Sequence, residues 1–217
     1  MDLTQFSPSS ALLTVVLLAL APFVAVMVTS FTKLVVVLSL LRNALGLQGV
    51  PPNVVLNGLA LVLSLYVMYP VGTQMAQKLQ GMDNVTGSTK SLFAAADATK
   101  EPLREFLLRH SRPMERAFFL RTAQKALPPQ QAAALSERDF IVAVPAFTVS
   151  ELSVAFEIGF LIFLPFLVID LVISNILMAM GMMMLSPTTV SMPFKLLLFV
   201  LIDGWVKLTH GLILTYV

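Results

Sequence analysis

Apolar residues in this chain come in long unbroken runs rather than in the spaced stripes of a soluble helix. Residues 11–28 are nearly all apolar, and apolarity resumes at 34–41 after Thr29-Ser30-Phe31-Thr32-Lys33. A second run covers 54–71, a third 154–177 and a fourth 194–217. Each is long enough to cross about 30 Å of hydrocarbon as a helix. Gly46, Gly49, Pro51 and Pro52 punctuate the first connection, and Pro70 and Gly72 close the second run. No strand alternation or internal repeat competes with this pattern. The expected fold is therefore all-α and of membrane class: about four long hydrophobic helices in hairpins, plus a small soluble helical insert.

Between the second and third runs the pattern changes. Leu103, Phe106, Leu107, Met114, Ala117 and Phe118 keep helical spacing, with a break at Pro113. Pro102 suits a first helical position and Pro128-Pro129 ends the segment. Thr148-Val149-Ser150-Glu151 has the spacing of a capping box that opens the helix leading into the third run. The expected organisation is an N-terminal hydrophobic hairpin over 1–73, the insert over 74–145 and a C-terminal hydrophobic hairpin over 146–217.

The last hairpin carries the most unusual stretch, residues 178–192, which holds six of the twelve methionines. Gly181 frees the backbone and Pro187 resists continuing a helix, so a methionine-dense turn is expected at the hairpin tip. A thioether on three rotatable bonds fills gaps of changing shape. Ordinary gap-filling explains such a cluster in a packed core. At a hairpin tip, a deformable plug at the narrow point of a pore is the sharper reading.

Composition agrees with a membrane protein: 57% hydrophobic residues and only 12% charged, where soluble domains carry about a quarter. The net charge of +2 does not suggest nucleic acid. With no cysteine, and with His110 and His210 far apart, disulfides, thiol catalysis and metal clusters lack support. No phosphate-binding loop, nucleophile elbow or His-Glu-x-x-His is present. Neither catalytic residues nor a cofactor or metal are expected, and an enzyme is the weakest class. Residues 1–10 lack the basic opening of a secretory signal, so the first run is expected to be retained. Arg42 places the first connection, and with it the methionine turn, on the cytoplasmic side, with the insert opposite. Ten of the fourteen Lys and Arg residues lie in the insert between Lys78 and Arg138; a long loop crosses largely regardless of charge.

Lys33, Asp170 and Asp203 sit inside apolar runs, where each costs roughly 2.5–3.5 kcal/mol at a bilayer centre. Left facing lipid, the three would cost about 9 kcal/mol, comparable to the stability of a whole domain. They are expected to face protein, water or a partner. Glu157 and Lys195 lie nearer the ends and would snorkel. Glu157 and Asp170 fall on nearly opposite faces of one helix, which argues for neighbours on both sides. Asp203, Lys207 and His210 would share a helix face in the favourable acid-first order. Two readings stay open: structural pairs that fix subunit register, or an ion relay through Asp170 and Asp203 in a small transporter or channel. For Arg116, Glu151 and Lys195 the choice lies between local roles, a solvated arginine and a capping-box acid, and pairs between subunits.

The residues also carry a resemblance. Phe31-Thr32-Lys33-Leu34, with Leu41-Arg42-Asn43-Ala44-Leu45-Gly46 and Pro51-Pro52-Asn53, resembles the opening of the FliP/SctR family, export-gate proteins of flagellar and virulence type III secretion. Pro145-Ala146-Phe147 through Ser150-Glu151-Leu152 to Ala155-Phe156-Glu157-Ile158-Gly159-Phe160 is more specific, as is Met180-Gly181-Met182-Met183-Met184. Pro193-Phe194-Lys195 and Ile202-Asp203-Gly204-Trp205 complete it, and residues 74–139 are the least diagnostic part. The resemblance implies five copies in a right-handed spiral around an export channel, together with FliQ/SctS-like and FliR/SctT-like partners and larger export-apparatus subunits. Unfolded secreted proteins would be the substrates. The location implied is the bacterial inner membrane, with much of the assembly above the bilayer on the periplasmic side. The family's methionine gasket maps onto Met182, Met183 and Met184, and its intersubunit ion pairs onto Arg116, Glu151 and Lys195. Leu185-Ser186-Pro187 in place of a double proline, and the lack of an N-terminal extension, favour the virulence branch.

Overall fold

The computed structural model describes residues 15–16, 19–20, 22–23, 25–80 and 89–217, with side chains described from residue 100 in the last stretch. Much of the first apolar run and the residues ahead of it lie outside this set, so the expectation that this run is retained as a span falls there too. Among the described residues from 31 onward, eight helices are delimited: α1 Phe31–Ala44, α2 Asn53–Gln80, α3 Thr89–His110, α4 Pro113–Ala126, α5 Pro129–Ala134, α6 Phe140–Ala179, α7 Pro187–Leu201 and α8 Gly204–Leu214. Among the described residues there is no strand. The fold is all-α.

Helix α6 is the spine. It runs 40 residues, about 60 Å at the rise of an α-helix, and α1, α3, α4 and α7 pack along it. Three apolar clusters are strung on it in order. Ala143 and Phe147 meet Phe106 and Leu107 of α3 together with Tyr216. Ala155 meets Leu34, Val37 and Leu38 of α1, Leu56 and Ala60 of α2, and Leu212 of α8. Phe166 meets Leu41 and Ala44 of α1, Leu45, and Phe199 of α7. Helix α1 supplies its Leu34, Val37, Leu38 and Leu41 at helical spacing, so one stripe of a short helix serves two clusters.

Several sequence expectations change here. Helix α2 does not stop at Pro70 and Gly72 but continues to Gln80, and Pro102 lies inside α3 rather than at its start. The break before Pro113 is observed, with Pro113 opening α4. Helix α6 begins at Phe140, so Thr148–Glu151 is helix interior and caps nothing. Thr148 Oγ1 donates to Val144 O at 2.9 Å and Ser150 Oγ to Ala146 O at 2.6 Å, the back-bonding of mid-helix hydroxyls. The true N-cap position is Asp139, whose carbonyl accepts from Val142 N and Ala143 N.

The fourth run is not one helix. Helices α7 and α8 meet at an angle of 62°, broken at Ile202-Asp203, and Asp203 takes the left-handed conformation with φ 53°. The described residues therefore contain two single helices long and apolar enough to cross a membrane, α2 and α6, plus this bent pair. The expected face Asp203–Lys207–His210 fails for the same reason, because Asp203 stands at the bend outside the helix. Its carbonyl accepts from Lys207 N at 3.0 Å, and no side-chain pair joins the two among the described residues.

Close approach of α1 to α6 depends on Gly159, where an added Cβ would lie 2.2 Å from Leu40 Cδ1 and 3.1 Å from Leu40 Cβ. Replacing Gly159 with Ala should cost about 1–3 kcal/mol, the usual penalty of overpacking, and lower the thermal unfolding midpoint of the detergent-solubilised chain. Gly58→Ala, where no atom lies within 4 Å of the new Cβ, should leave that midpoint unchanged or raise it.

Candidate functional site

The methionine stretch closes α6 in a defined way. Met180 is the C-cap and Gly181 follows with φ 72°, a left-handed position that glycine adopts without steric cost. Met182 N donates to Leu177 O at 2.9 Å and Gly181 N to Met178 O at 3.0 Å, the paired bonds of a Schellman motif. Leu185 N then bonds back to Met182 O, and Pro187 opens α7 with Ser186 as N-cap. The backbone of the tip is thus fixed while its side chains project. Met183 is 84% exposed and Met184 fully so, with Met182 at 42%. A tip that keeps its sulfurs out of the core has them available for something else.

Just behind the tip, a polar clamp ties α6 to α7. Lys195 Nζ lies 2.7 Å from Asp170 Oδ2 and donates to Ala44 O at the end of α1, at 3.2 Å. Ser191 Oγ donates to Asp170 Oδ1 at 2.5 Å. Lys195 and Ser191 are buried. One ammonium therefore neutralises a carboxylate and satisfies a helix-end carbonyl that lacks an intrahelical donor.

A second clamp sits further along α6. Lys33 Nζ and Glu151 Oε1 are 3.3 Å apart, both side chains 3% exposed. Tyr216 Oη donates to the other oxygen, Glu151 Oε2, and its ring lies under the ammonium, 3.6 Å from Nζ to the centroid. The acid thus holds a charge and a hydroxyl, and the cation holds a charge and an aromatic face. A desolvated cation over an aromatic ring contributes on the order of 2 kcal/mol. The sequence alone marks Lys33 and Glu151 but gives no sign of Tyr216, which reaches them only because α8 folds back. His110 joins the rim of this site, its ring 5.0 Å from that of Tyr216 and 4.7 Å from that of Phe106. Burial, then the Lys33 ammonium and the Arg109 guanidinium, push the His110 imidazole down to about 4.

The remaining charged candidates are scattered. Arg116 is mostly buried: its Nη1 donates to Leu108 O and Ser111 O, both at 2.8 Å, closing the end of α3, while Nε lies 3.1 Å from Glu137 Oε2. Glu157 pairs with Arg112 at 2.7 Å on the surface, on the other side of α6 from Asp170. Asp203, Lys207 and His210 are exposed. Within one chain, no ion pair joins Arg116, Glu151 and Lys195 to one another among the described residues; each instead meets a different partner. No cluster of His, Asp or Glu able to hold a metal occurs among the described residues.

A model of the FliP family matches residues 12–212. The chain is similar to the hypersensitivity response secretion protein HrcR of Ralstonia nicotianae, 52% identical over 210 residues that cover 96% of this chain and 97% of that one. It is 54% identical to the Yop proteins translocation protein R of Yersinia pestis over 200 residues, 92% of each chain. Against the virulence protein YscR of Salmonella typhimurium the identity is 47% over 189 residues, 87% of each.

Two outcomes follow from the Glu151 clamp. Glu151→Ala leaves Lys33 buried without its counter-ion and should cost about 3–5 kcal/mol, read as a lower unfolding midpoint. The double variant K33M/E151L, which removes both charges, should recover most of that loss. Acid should act through His110. Between pH 6.5 and about 4 the unfolded chain takes up a proton that the folded chain refuses, so stability present above pH 6.5 is lost as pH falls through that window. Thermal melts should show this slope, and His110→Gln should flatten it.

Proposed function

Because this chain belongs to the FliP family, we propose that it is a core pore-forming subunit of a type III secretion export gate, passing unfolded proteins across the bacterial inner membrane. Its relatives carry names of secretion, translocation and virulence, which supports a secretion role and the virulence branch. The observation that carries the finer reading is the tip itself: a bonded backbone turn presenting Met182, Met183 and Met184 outward. Around a channel, such side chains would make a gasket that deforms about a passing polypeptide and otherwise limits leakage of small ions. The subunit's role is passive in this reading, and energy comes from elsewhere in the apparatus.

Assembly is part of the proposal. Phe156, Phe160, Leu161 and Val168 of α6 and Phe194, Leu197 and Val200 of α7 are exposed, and so are Asp203 and Lys207 beside them. Lipid would accept the apolar faces but not the charges, which favours cover by sister chains and by FliQ/SctS-like and FliR/SctT-like subunits. Five copies are expected from the family resemblance. In that packing Asp203, Lys207 and the exposed Glu157 are the charges we assign to subunit contacts, while Lys33 with Glu151 and Asp170 with Lys195 serve the internal clamps and Arg116 closes the end of α3. An α6 of about 60 Å is twice the hydrocarbon thickness, which supports an assembly standing partly outside the bilayer; the periplasmic side is what the family resemblance implies.

An ion-coupled transporter or channel using Asp170 and Asp203 is the second reading. The observation that favours it is the exposed Asp203 at a broken helix; the saturated environment of Asp170 weighs against it.

Replacing Met182, Met183 and Met184 together with Ala should raise the conductance of the membrane-extracted complex in planar bilayers severalfold. Unchanged conductance would overturn the gasket. Asp170→Asn and Asp203→Asn separate the two readings: loss of assembly on a native gel fits structural pairing, whereas intact assembly with altered ion flux fits the transporter.

A further inference from the structure

Softness is one property of a thioether; ready oxidation is another. Met183 and Met184 are the two most exposed methionines among the described residues, on a chain with no cysteine to take up oxidant first. Met68 and Met192, by contrast, are partly buried. We propose that Met183 and Met184 are a reversible oxidation site, and that their sulfoxides open the seal. The second half rests on the gasket reading; the first does not.

The step balances with hydrogen peroxide or another two-electron peroxide as the oxidant. The sulfur lone pair attacks a peroxide oxygen, an S–O bond forms as the O–O bond breaks, and sulfur loses two electrons. One oxygen stays on sulfur and the other leaves as water after a proton shift. Reduction by a methionine sulfoxide reductase returns two electrons from a dithiol and releases the oxygen as water. The structure shows why the change would reach function without unfolding the turn. The tip is held by Met182 N to Leu177 O and Gly181 N to Met178 O, and behind it by the Lys195–Asp170 pair. None of these uses a sulfur. Oxidation therefore turns soft apolar side chains into polar ones at fixed positions, and a ring of sulfoxides draws in the water that a ring of thioethers excludes.

The test uses the complex extracted from membranes with its co-expressed subunits. Limiting hydrogen peroxide is added, peptide mass spectrometry follows each methionine over time, and conductance is read in planar bilayers. Met183 and Met184 should gain oxygen severalfold faster than Met68 and Met192. Leak should rise in step and fall again after treatment with sulfoxide reductase and dithiol. The variant M183L/M184L keeps apolar bulk but has no sulfur at these two positions, and its leak should rise severalfold less, even though the exposed Met114, Met178, Met180 and Met182 still oxidise. Oxidation of Met183 and Met184 no faster than of Met68 and Met192 would overturn the site. Equal peroxide-induced leak in M183L/M184L would overturn its role in opening. If the alanine triple variant leaks but the oxidised loop does not, this inference falls alone; if neither leaks, the gasket falls with it.

Discussion

An ammonium and a carboxylate pressed together in a dry interior hold each other in place, because neither tolerates that environment alone. Lys33 and Glu151 are such a pair, and Tyr216 completes it with a hydroxyl on the acid and a ring under the cation. Removing either charge strands the other, so the pair acts as a constraint as much as a source of stability. It fixes three distant parts of the chain relative to one another: α1, the first third of α6 and the end of the C-terminal hairpin. The three apolar clusters along α6 can then form only in one register.

The Lys195–Asp170 clamp repeats this logic nearer the tip. Its ammonium also takes the carbonyl of Ala44, so the end of α1 is tied to the root of the methionine turn. Beyond that root, among the described residues, Met183 and Met184 are left almost wholly exposed. The molecule is thus stiff where its charges are buried and soft where its sulfurs are exposed. The conduit we propose, which must seal around varied polypeptides, needs both properties in adjoining places.

Much of this was legible in the sequence. Unbroken apolar runs gave the helical, membrane-class fold, and Gly181 with Pro187 marked the tip correctly. The buried charges announced themselves as costs that had to be met, and the structure meets those of Lys33 and Asp170 inside one chain. What stayed hidden was non-local. Tyr216 carries no signal until α8 folds back over α6. The capping-box spacing at Thr148–Glu151 was misleading because α6 starts earlier, at Phe140, and its prolines at 145 and 165 lie inside a continuing helix. The bend at Asp203 was missed because the flanking residues are uniformly apolar and Gly204 alone is weak punctuation. There the left-handed backbone and the ring of Phe199, 2.1 Å from where a Cβ on Gly204 would sit, decide the turn.

In the proposed assembly the exposed apolar faces of α6 and α7 lie against sister chains rather than lipid alone. Native mass spectrometry of the membrane-extracted complex, released from detergent in the gas phase, decides this. A species containing several copies of the 23.6 kDa chain together with smaller partner subunits is the expected result. A lone chain, under conditions that keep the co-expressed subunits intact, would contradict it.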